Sequence, residues 1–163
     1  FKQKTAYEIL TCDWSSDVCS SDLTFFMGLM LSRMIAMVLG FKNGAELVMT
    51  AFGGTAGVFF AMASLSSVIK RDISGLGKWL MVGVIILMVG SIINIFVGSS
   101  AGMMVISVLS MAIFSAFMLY DLKQIMDGGE TNYISATLTL YLDVINVFQS
   151  LLALLGIFGG ERE

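Results

Sequence analysis

The sequence predicts an all-α fold, a polytopic bundle of transmembrane helices. Hydrophobic residues make up 57% of the 163 residues and charged residues only 13%, whereas a soluble domain has about 25% charged residues. The apolar residues also form continuous runs rather than alternating with polar ones. Since only helices and closed barrels satisfy the backbone in lipid, continuous runs of this length indicate membrane-spanning helices.

Five apolar segments follow one another along the chain. They predict helices at about 24–40, 46–69, 77–97, 101–126 and 133–158. The last four each reach the roughly 20 residues that a bilayer span needs. The first is short and contains Arg33.

The opening stretch, FKQKTAYEILTCDWSSDVCSSDL (1–23), differs from everything after it. It has no Gly and no Met, and it holds both cysteines of the chain, Cys12 and Cys19. Codons for 2–9 and 13–23 can be chosen that resemble the two fixed arms of a sequencing adapter, and a genuine polar tail is the alternative. We expect 1–23 to be a non-native artefact that is excluded from fold reasoning, and 24–163 to be the transmembrane domain.

The connections between the segments predict the orientation in the membrane. The strongest basic cluster, in the connection 70–78, contains Lys70, Arg71 and Lys78. The positive-inside rule places this connection in the cytoplasm. Because successive helices alternate in direction, the connection 123–130 is then cytoplasmic as well and the C-terminus lies outside.

Composition also excludes several functions. The net charge is −3 at pH 7 and there is no His. The chain therefore offers no basic surface for nucleic acid and lacks the usual neutral-pH proton carrier and metal ligand. We expect the lipid bilayer as its main partner and no cofactor.

Ionisable residues inside a membrane are costly and usually functional, and three are candidates here: Arg33, Asp121 and Asp143. Asp121 lies near the end of the fourth segment and Asp143 near the middle of the fifth. Counted from the connection between the two segments, Asp143 lies about 7–10 Å deeper, and helix tilt, a water or an ion would let the two carboxylates communicate.

Polar residues recur at helical spacing beside both aspartates. Asp143 shares its face with Thr139, Asn146 and Ser150, and Asp121 shares its face with Ser107 and Ser110. We expect two polar stripes that face each other inside the bundle. Two alternatives remain open: Asp143 as a structural residue hydrogen-bonded across helices, and Asp121 as an interfacial residue wetted by headgroup water.

Two carboxyl groups that approach each other can share one proton and so close a hydrogen-bonded contact. When both are ionised, they repel each other or bind a divalent cation through oxygen ligands, as Ca²⁺ prefers. Asp121 and Asp143 are therefore predicted to form a proton or ion gate and a transient calcium site. Gly53, Gly57 and Ala61 lie four residues apart, a spacing that we expect to serve helix packing within the chain.

Four stretches carry a resemblance to a known family. They are MGLMLSRMI (27–35), KRDISGLG (70–77), LYDLKQI (119–125) and GGETNYISATLTLYLDVINVFQSLLALLGIFG (128–159). Together they resemble the Bax inhibitor/YccA family of integral membrane proteins. The resemblance implies a seven-helix fold with a cytoplasmic N-terminus, of which this chain keeps helices three to seven.

The resemblance also implies two functions. Family members are pH-sensitive calcium leaks in which two membrane aspartates, matched here by Asp121 and Asp143, act as sensor and gate. Bacterial members of the YccA branch lie in the inner membrane and are associated with the membrane protease FtsH, as modulators or substrates. The family's partner arginine lies in the missing second helix, and Arg33 is a possible substitute.

A calcium or cation leak is therefore the predicted function, with regulation of FtsH as the alternative. An intramembrane aspartyl protease is disfavoured, because Asp143 lies in YLDV rather than in a Gly-x-Gly-Asp sequence and the chain has no Pro. We expect the protein not to be an enzyme.

Overall fold

The computed structural model describes the backbone of residues 6–73, 75–128 and 133–160, and the side chains of 21–73, 75–128 and 134–159. In these parts the chain is helical and has no strand. The helices are α1 (Ala6–Leu39), α2 (Gly44–Val68), α3 (Leu76–Val97), α4 (Ser100–Met126) and α5 (Tyr133–Gly160). Each contains a segment long and apolar enough to cross a membrane. The predicted all-α fold with five membrane-spanning helices is confirmed.

The first helix begins earlier than the sequence predicted. It starts at Ala6 rather than near Thr24, and its membrane-compatible part is Ser21–Leu39. No Gly or Pro interrupts 6–23, so nothing in the local chemistry ends a helix there. The non-native origin expected for 1–23 stays a prediction, and the side chains of 1–20 lie outside the described residues.

The chain divides into two compact units, Phe1–Ala36 and Met37–Glu163. The first contains most of α1, whose side chains between 21 and 36 are exposed or half-buried. The second contains the last turn of α1 and the helices α2 to α5. The helices α2 to α5 form the packed bundle of this unit. It is this second unit that carries the two aspartates.

Within the second unit, α4 is the central helix. It packs against α2, α3 and α5, and α2 also packs against α5. The most extensive contact joins α4 to α5. Because these two helices are consecutive and joined by a short connection (127–132), they form an antiparallel hairpin.

The connection between α3 and α4 is tight for a local reason. Gly98 has a φ of 65° and ends α3 in the left-handed conformation, which a residue without a Cβ adopts easily. Ser99 then caps α4: its Oγ accepts a hydrogen bond from the Gly102 backbone N–H at 3.3 Å. A serine after glycine thus reverses the chain within two residues.

Glycines allow close approach at two interfaces. A Cβ on Gly77 of α3 would lie 2.9 Å from the Tyr120 ring of α4, and a Cβ on Gly54 of α2 would lie 2.5 Å from a methyl group of Leu151 of α5. Real Cβ atoms essentially never show such contacts. These positions let α3 and α2 pack closely against their neighbours, as small residues do between membrane helices.

The predicted packing stripe on α2 is wrong. Gly53, Gly57 and Ala61 are all exposed, and a Cβ on either glycine would meet nothing within 4 Å. The glycine of α2 that approaches α5 is Gly54, about 100° further around the helix than Gly53, since a Cβ there would meet Leu151. The spacing of small residues did not reveal whether the face of α2 with Gly53 or the face with Gly54 packs against a neighbouring helix.

The core of the unit lies between α2, α4 and α5. Its completely buried side chains include Ala51, Met118, Val147 and Leu152, one or two from each of these helices. The opposite surface, on α3, is covered by exposed aliphatic and aromatic side chains. Such a surface is expected of a helix whose neighbours are acyl chains.

Candidate functional site

Asp143 lies about three turns after the start of α5 at Tyr133, in the most buried part of that helix. Its side chain is 6% exposed, and Ile145, Val147 and Phe148 beside it are also buried. Among the described residues, its Oδ2 atom is the one buried side-chain oxygen or nitrogen without a hydrogen-bond partner. A buried polar atom without a partner is costly, so this oxygen is available to a proton or a ligand.

Asp121 lies near the end of α4 and is half-buried. Its carboxyl group interacts electrostatically with that of Asp143 and lies within hydrogen-bonding reach of it. A hydrogen bond between two carboxyl groups needs an O–H, so the contact forms when the two groups share a proton. The structure therefore brings the two sequence-predicted aspartates together.

The geometry of a helical hairpin explains how residues at different depths meet. Side chains on an α-helix lean toward the N-terminus of that helix. In the antiparallel pair α4–α5, Asp121 leans away from the connection 127–132 and Asp143 leans toward it. The two side chains therefore approach each other and reduce the depth difference of about 7–10 Å that helical rise gives between their Cα atoms.

Three of the predicted supporting residues belong to α5, and each forms a hydrogen bond within its own helix. Thr139 Oγ1 donates to the Ala136 carbonyl at 3.0 Å, Asn146 Nδ2 to the Leu142 carbonyl at 2.8 Å and Ser150 Oγ to the Asn146 carbonyl at 2.7 Å. In an apolar environment, this is the nearest partner that a helical Ser, Thr or Asn can find. These three hydrogen bonds run along α5, not across to α4.

One of these residues does not face the interior. Thr139 is exposed, while Asn146 and Ser150 are half-buried. The expectation of a continuous inward stripe on α5 is therefore wrong at Thr139. Its hydroxyl bonds to its own helix, so this position needs no partner from α4.

On α4, Ser110 is half-buried and Ser107 is buried. They lie on the same helix as Asp121, several turns further from the connection 127–132. Arg33 lies on α1, where its side chain is exposed. Supporting roles for Ser110 and Arg33 stay predictions.

A salt bridge lies just beyond the aspartate pair. Lys123 Nζ donates to Asp127 Oδ1 at 2.9 Å, four residues further along. The ammonium group nearest to Asp121 along the chain is therefore bound to a carboxylate outside the pair.

Sequence reasoning missed three buried polar residues: Thr55 and Ser66 on α2 and Ser115 on α4. Thr55 and Ser115 donate to carbonyls four residues earlier, and Ser66 Oγ donates to Met126 Sδ at 3.5 Å. Ser115 was accessible to pattern analysis, since it follows Ser107 by eight residues on a buried face of α4. Thr55 and Ser66 carried a signal as well, since residues eleven apart lie on nearly the same face of a helix.

A comparison with known protein families places these observations in context. The family model "Inhibitor of apoptosis-promoting Bax1" matches residues 20–160, nearly the whole chain. The chain belongs to the Bax inhibitor family. The resemblance noted in the sequence is thereby confirmed, and both aspartates lie within the matched range.

The relatives of this Bax inhibitor family member include several bacterial proteins. A membrane protein of Vibrio cholerae is 41% identical over 138 residues, which are 85% of this chain and 62% of the relative. The Escherichia coli K12 protein "Modulator of FtsH protease YccA" is 38% identical over 133 residues, 82% of this chain and 60% of the relative. A second Escherichia coli strain has an equally similar "Inner membrane protein YccA".

The chain spans about three-fifths of the length of these relatives. It is a YccA-like, multi-pass membrane protein of the Bax inhibitor family.

Proposed function

We propose that this protein is a pH-sensitive leak for calcium or another cation, gated by Asp121 and Asp143. The single observation that carries the proposal is the buried Asp143 carboxyl group, with an unpartnered Oδ2 and with the Asp121 carboxyl within reach. Membership of the Bax inhibitor family supports it. In a membrane bundle, a buried carboxyl pair of this kind marks an ion or proton pathway more often than a structural contact.

The pair has two states that differ in proton content. With one shared proton, the carboxyl groups hold α4 and α5 together through a hydrogen bond. Without it, two negative charges face each other in a medium of low dielectric, which either separates the helices or recruits a cation. Calcium would be the transported ion rather than a resident cofactor, and its binding would compete with protons.

We also propose the orientation that the basic residues indicate. The connections 70–78 and 123–130 face the cytoplasm, and the C-terminus faces the outside of a bacterial inner membrane. The exposed Lys70 and Arg71 support this, because such residues accumulate on the cytoplasmic side. The aspartate pair then lies in the cytoplasmic half of the bundle.

Calcium flux into proteoliposomes tests the leak. We expect a flux that changes as the pH is stepped across neutrality, and we expect Asp143→Asn to abolish it or make it independent of pH, since an amide cannot lose a proton. Asp127→Asn is the matched control, because Asp127 is exposed and bound to Lys123. We expect this control to keep the pH response.

Circular dichroism and gel filtration establish that all three proteins are folded before the flux is compared. A folded wild type without flux would contradict the leak. A pH response that persists unchanged in Asp143→Asn would contradict the aspartate gate while leaving the leak in place.

A second function is favoured by a separate observation, the 38% identity to the E. coli modulator of FtsH protease. We propose that the chain also binds an FtsH-type protease complex and slows its action on membrane substrates. Degradation of a membrane substrate by purified FtsH in proteoliposomes should be slower when the chain is present. The Asp143→Asn variant should slow the degradation as much as the wild-type chain does. An unchanged degradation rate would contradict this second function. Neither function involves catalysis by the chain.

A further inference from the structure

A cavity unrelated to the aspartate pair lies at the opposite end of the second unit. It occupies about 790 Å³ and is lined by the turn 41–43, the first turn of α2 and the last turns of α5. This volume falls within the range of about 300–1,000 Å³ that is typical of small-molecule sites. The cavity lies where the membrane-spanning parts of α2 and α5, Gly44–Val68 and Ile134–Gly159, end.

Local hydrogen bonds order the turn that forms one wall. The backbone N–H of Phe41 donates to the Val38 carbonyl at 3.1 Å, and that of Gly44 donates to the Phe41 carbonyl at 3.0 Å. Gly44 is buried against the backbone of Val38, where a Cβ would collide with the Val38 carbonyl oxygen. The wall is therefore built by the backbone and depends on a glycine.

The opposite wall comes from α5, which closely approaches α2 at the same level. A Cβ on Gly159 would lie 2.9 Å from Leu47 Cδ1. The cavity is thus enclosed on two sides by elements that pack against each other.

The polar residues of the lining are more exposed than most of the apolar ones. Lys42, Asn43 and Glu46 are exposed and form the rim, whereas Phe41, Leu47 and Leu155 are half-buried and Phe158 is exposed. A phospholipid likewise combines a charged headgroup with apolar acyl chains. The position at the membrane boundary places the rim at headgroup level.

The rim presents one charge of each sign. Lys42 and Glu46 are exposed, and neither takes part in a salt bridge within the described residues. An ammonium group suits a lipid phosphate, and a carboxylate suits an ammonium group that has N–H donors. The headgroup of phosphatidylethanolamine has both partners, whereas choline lacks N–H donors and glycerol lacks the positive charge.

We propose that this cavity is a binding site for phosphatidylethanolamine. Lys42 binds the phosphate, Glu46 accepts hydrogen bonds from the ethanolamine ammonium group, and the half-buried Leu47 and Leu155 contact the upper part of an acyl chain. The site is independent of the proposed cation gate, since it lies at the other end of α5 and contains neither aspartate.

Native mass spectrometry of the purified 163-residue chain in a neutral detergent tests the site. The chain is titrated with phosphatidylethanolamine, phosphatidylcholine and phosphatidylglycerol that carry identical acyl chains. We expect one tightly bound phosphatidylethanolamine per chain and weaker binding of the other two. Glu46→Gln should weaken phosphatidylethanolamine binding by on the order of tenfold and remove its preference over phosphatidylcholine.

Lys42→Gln should weaken phosphatidylethanolamine and phosphatidylcholine alike, because both have the phosphate. Lys70→Gln is the matched control: Lys70 is also exposed but follows the far end of α2, and its loss should change nothing. Equal binding of the three lipids, or an unchanged preference in Glu46→Gln, would overturn the proposal. Displacement of the bound lipid by a second copy of the chain would also overturn the proposal.

A photoactivatable phosphatidylethanolamine gives a readout that needs no variant. With the reactive group near the glycerol, we expect cross-links to concentrate on Leu47, Leu155 and Phe158. Cross-links spread evenly over the exposed surface of α3 would contradict a specific site even if the Lys42 or Glu46 variants fail to fold.

Discussion

The helices α5 and α3 are both long enough to cross a membrane but have opposite environments. α5 packs against both α2 and α4 and buries Val147 and Leu152 completely. α3 packs against α4 alone among the described helices, and Phe96 at its end is 86% exposed. Yet α3 is the more hydrophobic of the two.

The difference shows how polarity is distributed in a membrane bundle. Lipid tolerates only apolar side chains, and the exposed face of α3 is accordingly made of aliphatic and aromatic residues. A helix surrounded by protein can hold Asp143 and the hydroxyl and amide groups near it. The candidate site lies between α4 and α5, where it is shielded from lipid.

Removing side-chain volume from each helix should give the largest contrast. Leu152→Ala leaves a cavity in the core of α5 and should lower the free energy of unfolding by about 2–3 kcal/mol. Ile86→Ala on the exposed face of α3 should lower it by less than about 0.5 kcal/mol, because acyl chains fill the space. Unfolding in mixed micelles of increasing SDS content, followed by circular dichroism, measures both. Equal losses would mean that α3 is also buried against protein.

A smaller effect should distinguish the two faces of α2. Gly54→Ala places a Cβ against Leu151 and should destabilise the α2–α5 contact by about 1 kcal/mol, since the flexible leucine can partly move away. Gly53→Ala meets nothing within 4 Å and should be neutral or slightly stabilising through helix propensity. The same unfolding titration compares them, and a reversed order would show that the packed face has been misassigned.

The smallest expected effect concerns the hydroxyl groups at the end of α2. Ser66→Ala removes a buried donor to Met126 and should cost about 0.5–1 kcal/mol. Ser67→Ala, at an exposed neighbour whose hydroxyl bonds within α2, should cost less. Indistinguishable values would indicate that the Ser66–Met126 contact contributes nothing to the packing of α2 on α4.

Hydropathy was sufficient to predict the five helices, because a bilayer imposes continuous apolar runs on every helix that crosses it. It did not predict the start of α1 at Ala6, since helix formation there follows from the absence of Gly and Pro rather than from hydrophobicity. It also failed to identify the packed face of α2. Gly53 and Gly54 are adjacent in sequence, and only the three-dimensional arrangement shows that Gly54 meets Leu151.

The candidate site could be predicted in part because charge is rare inside these helices. Asp121 and Asp143 stood out on that ground, and the structure brings their side chains together. Thr55, Ser66 and Ser115 were missed because a hydroxyl that bonds within its own helix or to a methionine is tolerated anywhere in a membrane helix. Their burial depends on which faces of α2 and α4 meet.

If Asp121 and Asp143 act as one coupled pair, the effects of substituting them should not be additive. A double-mutant cycle with Asp121→Asn and Asp143→Asn, read as free energies of unfolding in mixed micelles, measures this coupling. We expect a coupling energy of about 1 kcal/mol or more, and additivity within about 0.5 kcal/mol for the control cycle of Asp127→Asn with Asp143→Asn. Additive effects in the first cycle would contradict the claim, because each aspartate would then act alone.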